Sequence, residues 1–150
     1  MRLVLQRTSE ASVSIDNKKI SEIKKGLIIF LGVEEKDDFS DINWLVNKVL
    51  SLRIFSDENN KMNLSVEQVS GEIMVVSQFT LHAKVKKGNR PSFIKSARSD
   101  KANDLYEKFI LELSKVYKCK VKKGKFGADM KVAIVNDGPV TILIDSKNKE

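Results

Sequence analysis

The chain has 150 residues, 41% hydrophobic and 31% charged, with 27 Lys+Arg against 20 Asp+Glu and a formal charge of +7. That size and balance fit one folded domain over residues 1–150 and exclude disorder; a single cysteine excludes an internal disulfide framework, one histidine beside it leaves too few ligands for a zinc site, and the longest apolar run, residues 27–33, is too short to cross a bilayer. With no apolar signal core after Met1-Arg2-Leu3, the expectation is a cytoplasmic protein whose cation excess suits a polyanion, nucleic acid first, although a lysine-rich surface also serves solubility.

Leu3-Val4-Leu5 predicts a strand, and Ala11, Val13 and Ile15, alternating with Ser12 and Ser14, predict another with one buried face. Asp16-Asn17 supplies turn chemistry, and the run through Ile20 and Ile23 makes the second arm of a hairpin. After Gly26, the unbroken apolar run 27–31 predicts a strand buried on both faces. From Asp38 the period changes. Phe39, Ile42, Val46 and Val49, with Leu45 and Leu50 beside them, predict an amphipathic helix whose acidic start suits the helix dipole. Residues 57–60 read as a turn, and residues 73–76 as a short strand leading into Ser77-Gln78-Phe79-Thr80-Leu81. Residues 83–100, with Gly88, Pro91 and many cations, show no period and read as a loop long enough to be functional. Ala102, Leu105, Tyr106, Phe109, Ile110, Leu113, Val116 and Tyr117 form the stripe of a second helix. A short strand near Lys120-Val121, a loop over 124–129 and two last strands, 132–135 and 140–144, follow; Asn136-Asp137-Gly138-Pro139 separates those two, and the polar tail after Asp145 is expected to fray. The pattern is α/β, one sheet system covered by a layer of two main helices.

Ordinary catalytic sets find little support. His82 is the only histidine, so a Ser-His-Asp triad would have to use it, and a histidine after a strand reads first as a partly exposed side chain. Cys119 lies between lysines, yet a strand cysteine reads first as packing. Gly124-Lys125-Phe126-Gly127 lacks the length and Lys-Ser/Thr ending of a phosphate cradle, and capping accounts for Glu34-Glu35 and Asp37-Asp38. Two groups of cations read as surface patches: Lys84, Lys86, Lys87 and Arg90, and Lys115, Lys118, Lys120, Lys122, Lys123 and Lys125. Two segments are unusual: Ser77 to Leu81 puts two hydroxyls and an amide after a buried strand, and Asn136 to Thr141 breaks two apolar runs with a rigid turn. By themselves they also read as a strand end and a hairpin connection.

The chain resembles the D-aminoacyl-tRNA deacylases of the bacterial and eukaryotic type along essentially its whole length. Ser-Gln-Phe-Thr-Leu at 77–81 and Asn-Asp-Gly-Pro-Val-Thr at 136–141 carry the likeness. Gln6-Arg7, residues 11–13, 52–55, 61–65 and 90–93, and Gly-Lys-Phe-Gly-Ala-Asp-Met at 124–130 support it in the same order. A sister family that edits a different mischarged tRNA replaces both main motifs. The resemblance implies a compact three-layer, barrel-like α/β fold and hydrolysis of the ester between a D-amino acid and the 3′ adenosine of tRNA. It further implies a homodimer with active sites at the interface, and no metal or cofactor. Ser77, Gln78, Phe79 and Thr80 would form the catalytic segment. Gly138 and Pro139, joined by a cis peptide bond and entering the partner subunit's pocket, would exclude L-amino acids, with Arg7 and Met130 in support. Glycyl-tRNA, having no side chain to exclude, would be cleaved as well. The patch at Lys84, Lys86, Lys87 and Arg90 is the expected tRNA contact. Thr80 as a nucleophile lacks an evident base, so assistance by the terminal 2′-hydroxyl with backbone N–H groups on the oxyanion is the preferred expectation.

Overall fold

The computed structural model describes residues 1–150. Strand β1 (Arg2–Ile15) pairs antiparallel with β2 (Lys18–Ile23) and β3 (Gly26–Gly32), and β3 runs parallel to β6 (Glu72–Ser77), which pairs with β7 (Val121–Lys123). Strand β8 (Lys131–Asp145) lies along the whole of β1, and β4 (Arg53–Ser56) with β5 (Met62–Ser65) makes a separate hairpin. Helices α1 (Phe39–Ser51) and α2 (Ser99–Val116) complete the chain.

The layers follow from side-chain alternation. Leu27 and Ile29 of β3 and Ile73 and Val75 of β6 point to one face, where Ile42, Leu45 and Val49 of α1 and Leu105, Phe109 and Leu113 of α2 cover them. Ile28, Met74 and Val76 point to the other, into a smaller core with Ala11 and Val13 of β1, Ile23 of β2 and Val132 and Ile134 of β8. Strand β1 is long enough to serve both: Leu3 and Leu5 pack under the helices, and its second half folds over the opposite face with β2 and β8. The result is three layers, with the sheet nearly closed on itself. Strands β3 and β6 are buried on both faces, as the apolar run 27–31 predicts. Gly26 is required where these parallel strands begin, because a Cβ there would stand 1.8 Å from the Glu72 carbonyl oxygen.

Three expectations need correction. The first two predicted strands are one, because the charged and polar residues between them pair with β3 and β8 and need no apolar face. The last two are also one strand, and Asn136 to Pro139 is not a hairpin connection: between its partners Thr8 and Gln6, β1 has only Arg7, whereas β8 has residues 137–140, which loop outward. The turn predicted at 57–60 is present, and β4 and β5 on its two sides pair as a hairpin. The tail does not fray at once after Asp145. Ser146 is buried, its N–H donates to the Met1 carbonyl (2.9 Å), and its Oγ accepts from the Met1 ammonium (2.7 Å), which also pairs with Asp37 (2.5 Å). Lys147 then pairs with Asp41 at 2.7 Å. No helix is long and apolar enough to cross a membrane.

Candidate active site

Strand β6 ends at Ser77, and the Gln78 N–H still bonds the Leu31 carbonyl of β3 at 2.8 Å. The chain then tightens into a 3₁₀ turn, Phe79–His82, so the motif 77–81 is a strand end and a turn together. The first bonds inside this turn are Leu81 N–H to the Gln78 carbonyl (3.3 Å) and Ala83 N–H to the Thr80 carbonyl (3.0 Å). The N–H groups of Phe79 and Thr80 come before any partner that the turn itself can supply. Phe79 is 56% exposed and meets Phe93 edge-to-face at 5.0 Å, while the Ser96 hydroxyl donates to its carbonyl at 3.0 Å. Thr80 is exposed, and its Oγ1 accepts from Gln78 Nε2 at 2.5 Å. An amide donor on that oxygen is the opposite of a general base.

Beside Ser77, Gln78 and Phe79 opens a cavity of about 250 Å³, walled by Leu31, Ala97, Ala102, Tyr106 and Phe126. Tyr106 contributes a surface, not an acid. Its hydroxyl donates to the Val75 carbonyl at 2.9 Å, and burial raises its pKa above the usual phenol value. Sequence reasoning placed Tyr106 and Ala102 in the helix stripe, which they also serve, and nothing in periodicity separates a core wall from a cavity wall. Phe126 lies in the motif Gly124 to Met130, which is the signal that the sequence offers for it.

His82 is 1% exposed, against the expectation of partial exposure, because it faces Gly32, where a side chain would meet its Cδ2 at 3.1 Å. Neither ring nitrogen has a hydrogen-bond partner, although the Gly32 backbone lies close. Burial holds its pKa below the ordinary 6.5. No carboxylate orients it toward Ser77 or Thr80, so no triad is assembled.

The outward loop of β8 carries Gly138 and Pro139, both exposed and joined by a cis peptide bond. Asn136 closes its base, donating to Thr141 Oγ1 (3.0 Å) and accepting from Val140 N–H (3.2 Å), a role that its sequence position did not reveal. Arg7 braces it from below: 8% exposed, it donates to the Asp137 carbonyl (3.2 Å) and the Ile54 carbonyl (2.7 Å) and pairs with the Asp137 carboxylate (3.3 Å). Within one chain Gly138 and Pro139 do not line the cavity beside Ser77 to Phe79. Met130 is half-buried; its Sδ would lie 2.7 Å from a Cβ at Gly124, and it packs on the smaller core without lining the cavity.

Lys84 and Ser92 exchange two backbone hydrogen bonds (2.8 and 3.0 Å), which close a loop carrying Lys86, Lys87 and Arg90 at its tip. All four cations are exposed, and none is within ion-pair distance of a carboxylate. The second predicted patch is different. Lys115, Lys120 and Lys123 are paired with Glu112, Glu72 and Glu107. Lys118, Lys122 and Lys125 have no such pair, so half of that group is compensated, whereas in the loop that adjoins Phe79 and Phe93 all four cations are free.

Comparison with known proteins gives a consistent result. A family model described as D-Tyr-tRNA(Tyr) deacylase matches residues 4–145. The D-aminoacyl-tRNA deacylase of Flavobacterium psychrophilum is 57% identical over 150 residues, 100% of both chains, and that of Bacteroides fragilis is 56% identical over the same span. A solved structure of a c-Myc DNA unwinding element binding protein superposes with a TM-score of 0.93 at 41% identity, covering 97% of this chain and 98% of the other. A probable eukaryotic D-amino acid tRNA deacylase shares the fold at 19% identity, with a TM-score of 0.80 and coverage of 95% and 97%.

Proposed function

The chain belongs to the D-Tyr-tRNA(Tyr) deacylase family, and from that premise we propose that it hydrolyses the ester of D-aminoacyl-tRNA, a proofreading step that returns free tRNA to charging in the cytoplasm. The observation that carries the reading at the site is the 3₁₀ turn at the mouth of an apolar cavity, with the Phe79 and Thr80 N–H groups at its start. The ester carbonyl oxygen takes these two donors, which are worth about 3 kcal/mol each to a developing oxyanion. Water adds to the carbonyl carbon, the bond to the 3′ oxygen breaks, and that oxygen leaves as the tRNA hydroxyl. The neighbouring 2′-hydroxyl assists, and Ser77 and Gln78 set the floor. The Thr80 hydroxyl is already committed to an amide donor and has no base, which argues against a covalent threonine ester.

Selectivity comes from exclusion. Swapping D for L at a centre whose amino and carbonyl groups are held exchanges side chain and hydrogen, so a wall at one place rejects one hand. Gly138 and Pro139 stand outward and do not reach the cavity of their own chain, and we read them as entering that of a second copy, with Arg7 fixing the loop from behind. Met130, set against Gly124 outside the cavity of its own chain, would act only from behind it. The complete site is then a homodimer's. Glycine presents nothing to such a wall, so some glycyl-tRNA is cleaved too. Lys84, Lys86, Lys87 and Arg90 hold the tRNA backbone beside the cavity.

Purified protein given D-tyrosyl-, L-tyrosyl- and glycyl-tRNA should release the first quickly, the third partly and the second negligibly; equal D and L rates would overturn the reading. Thr80→Ala should keep a substantial part of the rate, and a tRNA ending in 2′-deoxyadenosine should be cleaved far more slowly. The uncompensated loop also supports a second reading, nucleic-acid binding without hydrolysis. Binding of D-aminoacyl-tRNA with no ester cleavage would select it.

A further inference from the structure

His82 ends the 3₁₀ turn that begins at Phe79, and its ring is wedged against Gly32 of β3 with 1% exposure and no partner on either nitrogen. The turn is tied on its other side through the Leu81 carbonyl, which accepts from Arg2 Nη1 at 3.1 Å, while Arg2 Nε is held by Asp145 at 2.8 Å. The charged groups facing the ring come from three places. Arg2 and the Met1 ammonium approach from the start of the chain, each already paired, with Asp145 and Asp37 respectively. Glu34 approaches from the segment after β3, and the turn contributes no charge of its own. A neutral imidazole fits this place. An imidazolium would be buried with two N–H donors and only the Gly32 backbone near them, and Arg2 and the Met1 ammonium would stand against it with Glu34 as the one facing carboxylate.

We propose that His82 is a positioning residue for the Phe79–Thr80 backbone and acts only as the neutral ring, so that its protonation loosens the turn and slows deacylation. The coupling path is short: the Ala83 N–H, next to His82, bonds the Thr80 carbonyl at 3.0 Å, so a ring forced outward draws on the residue that presents the second donor. The consequence for the rate rests on the reading of Phe79 and Thr80 as oxyanion donors; the hold on the turn does not.

The chain has one histidine, so its imidazole Cε1–H gives a single NMR signal that reports this ring alone. That signal should titrate below pH 6.5, and the amide resonances of Phe79 and Thr80 should shift with the same midpoint. Deacylation of D-tyrosyl-tRNA by the unsubstituted protein and by His82→Leu is then compared at each pH, so that the ester's own pH dependence cancels in the ratio. The ratio should be constant above about pH 7 and fall with the same midpoint as the histidine signal, following the neutral fraction. His82→Gln replaces His82→Leu if the latter does not fold, and the NMR titration needs no variant. A histidine signal titrating at or above pH 6.5, Phe79 and Thr80 amides unmoved through its midpoint, or a ratio flat through that midpoint would overturn the proposal. Coupled amide titration without D-selective cleavage at any pH would support the positioning and count against the deacylase reading.

Discussion

Arg7 is a charged side chain at a place where charge is costly, and its surroundings account for it: two backbone carbonyls and one carboxylate converge on a single guanidinium. One of those carbonyls belongs to Asp137, beside Gly138, so the arginine fixes how far the outward loop stands from the sheet. Arg7→Met keeps the apolar stem but leaves the Ile54 and Asp137 carbonyls without donors. Urea unfolding should show a loss of about 2–3 kcal/mol. The loss of D-specific deacylation, measured below the unfolding transition, should exceed what the unfolded fraction explains. At Gly138 φ is +122°, a region that favours glycine, and a Cβ would meet Arg7 Nη2 at 2.8 Å. Gly138→Ala should therefore cost about 1–3 kcal/mol in the same measurement, and it should impair rejection of L-tyrosyl-tRNA through the displaced Arg7.

At the scale of elements, α1 shows how local signals and distant ones combine. The Asp38 carboxylate accepts from Ser40 N–H and the Asp41 carboxylate from Asp38 N–H, a capping box legible as acidic residues at a helix start. What the sequence did not disclose is that Asp41 is buried and is reached by Lys147 from the tail. Asp41→Ala should lower stability by about 1–2 kcal/mol, and much of that loss should be reproduced by Lys147→Ala. Burial works to raise the Asp41 pKa, but the Lys147 ammonium, Ser146 and the Asp38 amide together hold it below the usual 3.8. Burial also opposes ionisation of Asp145, and Arg2 together with the Lys147 and Asn148 amides outweighs it in the same way. The stability these two carboxylates add is complete above about pH 4 and is lost as pH falls through their lowered values. Unfolding free energy should drop steeply below about pH 4, and less steeply in Lys147→Ala, which has already lost one of the pairs.

Across the whole molecule the net charge of +7 is unevenly expressed. Half of the second lysine group is neutralised by glutamates, whereas the loop closed by Lys84 and Ser92 keeps its cations free beside two exposed phenylalanines. Such a loop suits a phosphate backbone, and each phosphate neutralised contributes about −0.7 to −0.9 to the slope of log K against log salt. Changing Lys84, Lys86 and Lys87 together to Glu should weaken every tRNA alike, flatten that slope and leave the preference for D over L unchanged. Tight binding that ignores salt would make the loop a solubility feature.

Both helices and the doubly buried strand at 27–31 were legible in the sequence, because periodicity and turn chemistry act within a few residues. The motifs at 77–81 and 136–141 acquire a common role only through the family likeness, since by pattern alone they are a strand end and a turn. Only the tertiary structure decided that residues 2–15 and 131–145 are single long strands, since their continuity depends on partners far along the chain and not on their own pattern. It alone placed His82 beneath the turn, because exposure depends on what packs from β3. It also separated the free cations of the loop at 84–92 from those that glutamates neutralise. Charge composition counts side chains, and folding decides which of them meet.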